Sequence, residues 1–387
     1  MISIQVHEGR SALTTLEPAW TQLLDQLSYA RVFASPAWFQ AWLDVYSPSK
    51  IAVVTAWRDG QMVGLLPVIR MRTDARGFFF SRVSPPAPGI TDYQSPVVLP
   101  DAAAEALPAL WDAQLRHFGR SVQWWPNLPE DDPALGILKK YLARHGIPYY
   151  EEFEKAPYLS FAAESYTALE QNWTASHRKD FRRQRKRLEE IGPVSIWQPA
   201  SAEEAEPILE NFFTVHDQKW LDQGFPGIFS DPKTRAFFHA IRRRLFGKGL
   251  HFSTLRCGDT DVSYNFGFFS DGWMQWYRPS YRREFQVYSP SKIHIAMLME
   301  QGYKAGWKGL DFLLGEEGYK LQWAPSRRRV VSIHAASSRF SPAYFWFSTG
   351  NHWLHDHGSK SLVPMKDNSS TVPNPVVSNT LPAAVAA

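Results

Sequence analysis

Cysteine is nearly missing from this chain: Cys257 is the single one in 387 residues. One thiol cannot form an internal disulfide or a cysteine-based zinc site, and such cysteine usage fits a reducing compartment. No stretch approaches eighteen apolar residues, so no transmembrane helix is predicted. The first residues, Met1-Ile2-Ser3-Ile4-Gln5-Val6-His7-Glu8, carry neither a basic nor an apolar leader segment, and a cytoplasmic location is expected. Gly (23) and Pro (28) are too few and too aperiodic for a collagen or a low-complexity chain. Gly-x-x-x-x-Gly-Lys-Ser/Thr, Gly-x-Gly-x-x-Gly, Gly-x-Ser-x-Gly and His-Glu-x-x-His are all missing. P-loop hydrolysis, Rossmann redox chemistry, serine hydrolysis and zinc proteolysis therefore lose ground.

What is present is a globular composition, 44% hydrophobic and 21% charged, with an aromatic surplus of 16 Trp, 15 Tyr and 25 Phe. Such residues favour strand-rich cores and flat clefts. The length corresponds to about 2.6 domains of about 150 residues. An internal repeat narrows this to two. Residues 33–70 and 229–269 both run aromatic, capping residue, Pro, aromatic-faced helix, strand, Gly/Asp turn, strand. Ser35-Pro36 and Asp231-Pro232 each set a cap before a proline at the first helical position. An offset of half the chain points to a duplicated domain rather than a solenoid. We divide the chain into 1–160, 161–345 and an extension 346–387, expected to be disordered after about residue 363.

The second copy is the more legible. His251–Arg256, Val262–Ser270 and Trp273–Tyr277 predict a three-stranded meander with Asp271-Gly272 as its hairpin turn. A helix over Pro290–Ala305, a buried strand at Leu310–Leu314 and a strand at Val330–Ala336 follow. The result is an α+β (mixed α/β) class with a mixed, mostly antiparallel sheet flanked by helices. The first copy shows the hairpin, then passes into Ser84-Pro85-Pro86-Ala87-Pro88, after which its order is harder to follow.

Four constellations could carry chemistry. In Tyr288-Ser289-Pro290-Ser291-Lys292, Ser289 is a natural cap, and Ser291 and Lys292 crowd a helix start suited to phosphate. An ordinary capped helix carries the same residues. In Leu310 to Lys320, Asp311 interrupts an apolar run and would be costly to bury unless paired. Glu316 or Glu317 could accept a proton there, and Tyr319 or Lys320 could donate to an oxyanion; a polar turn with a structural salt bridge is the plainer reading. Seven of the eleven residues His177–Arg187 are Arg or Lys, among them Arg178, Lys179 and Arg182, with Phe181 and Leu188 on a narrow apolar face. Such a helix is either solvated or bound to something anionic. His216-Asp217 sits near the end of a helix over Ala205–Leu221 as a structural pair or a titrating group. His352, His355 and His357 have metal-like spacing but no supporting Cys or ordered carboxylates, so no metal is expected.

The ordered combination of the basic helix, His216 with Trp220, Trp276-Tyr277-Arg278-Pro279, Tyr288-Ser289-Pro290, and Phe312 to Gly315 with Glu316 and Tyr319-Lys320 resembles a known family. It is similar to the GNAT-superfamily acyltransferases associated with cellulose and exopolysaccharide biosynthesis, relatives of the Fem-type aminoacyltransferases. The likeness covers about residues 20–345 and is strongest over 170–325. It implies tandem GNAT folds, with acyl-CoA as co-substrate and no permanently bound cofactor. It also implies that the strand ending at Tyr277 and the helix from Pro290 hold the donor pyrophosphate. The family usually has Gly where this chain has Ser291; Lys292 could compensate. The first copy shows no equivalent loop and takes a scaffolding or acceptor-binding role. In the implied reaction an amine, less readily a hydroxyl, attacks the thioester. Glu316 or His216 takes the proton, Tyr319 or an N–H steadies the oxyanion, and Lys320 with the basic helix neutralises phosphate. The acceptor stays open among sugar amines, polysaccharide precursors, amino acids and lipid amines. Aminoacyl-tRNA is the alternative donor. A non-catalytic module binding nucleic acid or an anionic membrane, at the inner membrane face, is the third reading, with no DNA partner expected.

Overall fold

The computed structural model describes residues 1–27, 32–75, 78–119, 121–222 and 224–337. In chain order the first half comprises β1 (Ser3–Glu8), α1 (Ser11–Leu24), α2 (Pro36–Leu43), β2 (Lys50–Arg58), β3 (Gln61–Ala75), β4 (Phe78–Ser84), β5 (Val97–Val98), α3 (Ala103–Phe118), β6 (Val122–Pro129), α4 (Pro133–Arg144) and β7 (Tyr149–Ser160). After α5 (Tyr166–Gln171) and α6 (Ala175–Glu189), the second half comprises β8 (Val194–Trp197), α7 (Ala202–Leu221), α8 (Pro232–Leu245), β9 (Leu250–Cys257), β10 (Thr260–Ser270), β11 (Trp273–Tyr281), α9 (Pro290–Lys304), β12 (Gly309–Asp311), α10 (Gly318–Leu321) and β13 (Ser326–Ala336). With the two-residue β5 set aside, the order strand, two helices, three strands, helix, strand, helix, strand occurs twice. The repeat thus extends beyond the helix and hairpin that the residues themselves disclose.

Contacts group the chain into two compact units whose membership is not consecutive. Leu27–Val45, including α2, belongs with Glu154–Val330, while the chain from Val331 belongs with the first unit. The halves 1–160 and 161–345 describe chain order, and the compact units exchange these two segments. The stretch 346–387, with His352, His355 and His357, lies outside the described residues.

In the first unit the strands run β1-β2-β3-β4-β6, with β5 beside β3. β4 and β6 pair in parallel only at Arg82↔Val122 and Val83↔Gln123. The proline-rich stretch after β4 then lies against β6: Asn127 O accepts the Gln94 N–H at 3.0 Å, and Asn127 Nδ2 donates to Thr91 O at 2.7 Å. That stretch is buried at Ala87, Thr91 and Gln94, so the chain itself occupies the space next to β6.

The second unit orders its strands β12-β11-β10-β9-β8, with residues 154–160 of β7 beside β12. Asp271 (φ 50°) and Gly272 (φ 78°) make the expected two-residue hairpin turn, closed by Ser270↔Trp273. One face of the meander carries the aromatic surplus. Phe212 and Phe213 of α7, Phe237 and Phe238 of α8, and Trp38 of α2 are all buried against it. Trp38 meets Phe237 edge-on at 5.4 Å and Phe268 at 5.5 Å, the geometry that ring quadrupoles favour. The opposite face packs on α6 and α9 through Phe181, Leu188, Ile293 and Met299. Both proline helices are capped as expected: Ser35 accepts from Trp38 N, and Asp231 from Lys233 N and Thr234 N.

Three readings of local structure change. The buried strand expected at Leu310–Leu314 stops at Asp311, because Leu313 turns left-handed (φ 58°). β11 continues past Tyr277 to Tyr281. Ser289 occupies the cap position of α9 in a left-handed conformation (φ 51°) and makes no side-chain cap bond; its carbonyl accepts from Lys292 N and Ile293 N instead.

Two stability measurements follow. A Cβ on Gly309 would sit 2.3 Å from Leu159 O and 2.5 Å from the Trp273 ring. Gly309→Ala is expected to lower unfolding free energy by about 1–3 kcal/mol in urea titration, since backbone cannot yield as a side chain tip can. An unchanged midpoint contradicts that packing. His294 of α9 is fully buried, and burial, with the His251 charge second, pushes it down to about 3. An imidazole depressed from about 6.5 binds its proton more readily when unfolded. Its stabilising contribution is complete above that value and falls as pH drops towards about 3. The loss approaches about 1.4 kcal/mol per pH unit, and His294→Asn should flatten the pH slope of stability by up to one proton.

Candidate functional site

The candidate site lies where two strands part. β11 and β12 run parallel and share three pairs, Trp273↔Gly309, Met274↔Leu310 and Gln275↔Asp311. After Asp311 the chain follows β7 instead: Phe312 N donates to Pro157 O at 2.9 Å and Gly315 N to Lys155 O at 3.0 Å. Asp311 enforces the departure. Its Oδ1 accepts the Leu313 N–H at 2.8 Å, which holds the left-handed turn, and Oδ2 pairs with Arg328 at 3.2 Å. Asp311 is buried because it is paired, as its cost in an apolar run required. Both its oxygens are engaged in holding the fold.

The loop after β12 separates the acidic pair. Glu316 is bridged by Lys155 (3.1 Å) on one oxygen and Arg327 (2.8 Å) on the other. Glu317 pairs with Lys320 Nζ at 2.8 Å. Lys320 is buried, and its ammonium also donates to Leu314 O at 2.6 Å, so this lysine clamps the loop. Tyr319 keeps 37% of its surface exposed, and its phenol is within electrostatic reach of Glu317, Trp276 and Arg278. Burial first, and the Glu317 charge second, push the phenol well above its ordinary value, with Trp276 and Arg278 opposing. A phenol so displaced remains a hydrogen-bond donor at neutral pH.

From α7, His216 lies within electrostatic reach of Arg278, which also acts on Tyr319. It is buried against Phe229 (ring centroids 4.9 Å apart), with Nδ1 3.6 Å from Asp217 Oδ1. Burial pushes the imidazole down; Asp217 opposes this, and Lys219 and Arg278 add to it. Asp217 has a structural task as well, accepting the Phe229 N–H at 3.0 Å. Lys219 is pushed down by burial and held up by Glu317. His216, Lys219, Arg278, Glu317 and Tyr319 therefore form one electrostatic group. Sequence reading assigned no role to Lys219 or Arg278; the signal available was only their neighbours, His216 and Tyr277.

At the start of α9, Ser291 is half-buried, with its Oγ 3.4 Å from that of Ser263. Lys292 turns towards α6 and pairs with Asp180 at 2.9 Å. That bond is the first cause holding the Asp180 carboxyl below its usual range. Tyr277 is buried, stacked 6.2 Å from Phe238 on the aromatic face, with Arg278 above its ring at 4.2 Å.

The basic helix divides by role. Arg178 donates to the carbonyls of Gln171 (2.9 Å), Glu170 (3.3 Å) and Trp173, and so closes the end of α5. Arg182 lies 3.7 Å from Glu170 and is 68% exposed. Lys179 is exposed. Phe181 and Leu188 are buried, as their spacing predicts. Among the described residues no group of three or more His, Cys, Asp or Glu could hold a metal, and no helix is long and apolar enough to cross a membrane.

Residues 175–321 match the family model described as the acetyltransferase (GNAT) domain, a span that includes α6, the meander, α9 and the Glu317–Tyr319 loop. No curated protein matches the chain. Among solved structures, FemX superposes with a TM-score of 0.56 at 11% identity, over 80% of this chain and 92% of that one. The C-terminal domain of a protein described as a lysylphosphatidylglycerol synthetase, from Agrobacterium fabrum, gives 0.55 at 10% identity, over 91% and 99%. A Bacteroides thetaiotaomicron protein of unknown function gives 0.50 at 12%, over 87% and 99%. At such identities the likeness is one of fold, and the fold of this chain is the GNAT fold, with a mixed sheet flanked by helices.

Proposed function

We propose that the chain is an acyltransferase that moves an acyl group from acyl-CoA to an amine of a small-molecule, cell-envelope or polysaccharide precursor. The observation that carries this reading is the parting of β11 from β12 after three pairs, with α9 following β11 in the chain and the Glu317–Tyr319 loop following β12. A donor laid in that gap would set its phosphates near Ser289 and Ser291 and its thioester near Tyr319. The amine attacks the thioester carbonyl, the carbon–sulfur bond breaks, and CoA leaves as the thiol. Tyr319, a phenol held in its protonated form, donates to the oxyanion or the departing sulfur. Glu317 takes the amine proton in preference to Glu316, both of whose oxygens are already ion-paired. His216, kept neutral by burial, is the second proton acceptor in the cluster.

Lys320, Lys292, Arg178 and Asp311 support the site through the fold, since each polar head is bonded to protein. Of the basic helix, Lys179 and Arg182 remain as contacts for the donor or for an anionic acceptor. The first unit takes a scaffolding role, for the space beside β6 is filled by its own chain. A second reading, an aminoacyl-tRNA donor, draws on the exposed cations of α6.

Two measurements separate these readings. With acyl-CoA and a panel of amines, Glu317→Gln and Tyr319→Phe should each lower kcat/KM by about a hundredfold or more, while Glu316→Gln stays within about threefold. Equal losses at Glu316 and Glu317, or none at either, would remove the assignment. In thermal-shift titration, CoA should raise Tm, equivalent to about 2.7 kcal/mol at a hundredfold excess over Kd. Stabilisation by tRNA alone, falling steeply with salt and weakened in a Lys179→Ala/Arg182→Ala variant, would favour the RNA donor.

A further inference from the structure

Beneath the start of α9 lies a line of hydrogen bonds that the chemistry above does not use. Ser253 Oγ on β9 is 3.1 Å from Nε2 of His294. Nδ1 of the same ring is 3.2 Å from Oγ of Ser263 on β10. Ser263 Oγ is in turn 3.4 Å from Oγ of Ser291 and 3.2 Å from the carbonyl oxygen of Ser280. Ser253, Ser263 and His294 are completely buried, whereas Ser291 is only half-buried. The line therefore has an inner end in the core and one outer end, Ser291.

Counting protons gives this line a direction. A neutral imidazole has one N–H and one lone pair. If Ser253 donates to Nε2, the ring proton sits on Nδ1 and is donated to Ser263 Oγ. The Ser263 hydroxyl proton then has two acceptors, the Ser280 carbonyl and Ser291 Oγ. Ser291 likewise can point its proton inward to Ser263 or outward. The two arrangements differ by the rotation of two hydroxyls, with no movement of heavy atoms. An oxyanion at the helix start can only accept, so it selects the outward arrangement. In that state each donor is polarised by the one behind it.

We propose that Ser263 and His294 are positioning residues for the donor's phosphate: they form a buried relay that turns the Ser291 hydroxyl outward as a hydrogen-bond donor to a phosphate oxygen at the start of α9. The proposal rests on the reading that a phosphate-bearing donor binds there. It adds that two residues without ligand contact set how tightly that donor is held. The residues come from three strands and a helix, and no spacing in the sequence brings them together.

The test is calorimetric titration of the full chain with CoA. Ser291→Ala should weaken CoA binding about tenfold, the scale of one charge-assisted hydrogen bond. Ser263→Ala should weaken it about three- to tenfold, and the Ser263→Ala/Ser291→Ala double variant should bind no worse than Ser291→Ala alone. His294→Asn, whose amide N–H can stand in for Nδ1–H, should retain most of the affinity, and His294→Leu should lose as much as Ser263→Ala. Absence of CoA binding to the wild type overturns the donor reading itself. Wild-type binding with Ser263→Ala unchanged overturns the relay alone. Full additivity of the two serine variants, or equal losses in His294→Asn and His294→Leu, assigns the effect to packing and equally overturns the relay.

Discussion

The separation of β11 from β12 after three paired residues is the constraint on which the layout of the second unit's sheet, and the site proposed there, depends. Parallel strands that stayed paired would close the sheet and leave no gap beside α9. Here one carboxylate prevents it. Asp311 captures the Leu313 N–H, fixes a left-handed residue two positions after the last pair, and directs the chain along β7. Arg328 offsets the cost of burying that charge. Gly309, against the Leu159 carbonyl and the Trp273 ring, lets β12 lie close enough to both neighbours for the parting to begin at a defined place.

The first unit shows what happens when the same arrangement is built and then filled. β4 and β6 also pair in parallel over a short stretch, yet Thr91 and Gln94 bond to Asn127 and the proline-rich segment is buried beside β6. Prolines suit such a filling segment because they leave fewer N–H groups to satisfy in a buried place. Duplication of the fold therefore does not duplicate the gap.

Polar residues in the second unit divide into those bonded into the fold and those coupled electrostatically to Tyr319, and residue type does not tell them apart. Lys320, Lys292 and Arg178 each read as phosphate ligands, but each donates to a carbonyl or carboxylate nearby. Glu316 and Glu317 are adjacent, and adjacency sends them in different directions: one to Lys155 and Arg327, the other to the cluster with Tyr319 and Lys219. A buried amine or guanidinium left without partners would be costly, so a folded chain supplies partners wherever it can. A basic run in sequence consequently overstates the charge available to a ligand.

The sequence by itself determined the repeat, the meander with its Asp271-Gly272 turn, the proline-started helices and the apolar stripe of Phe181 and Leu188. These follow from local rules: backbone preference, capping and the period of apolar residues. It also singled out the stretch between Tyr277 and Lys320, which carries the end of β11, the start of α9 and β12. Only tertiary structure decided the rest, because those outcomes depend on contacts distant in sequence. Such are the early end of β12, the exchange of α2 and of the chain from Val331 between the compact units, the turning of Lys292 towards Asp180, and the joining of Ser253, Ser263 and His294 beneath Ser291. A partner a hundred residues away leaves no period or spacing in the chain, and electrostatic character belongs to the assembled group rather than to any one of its members.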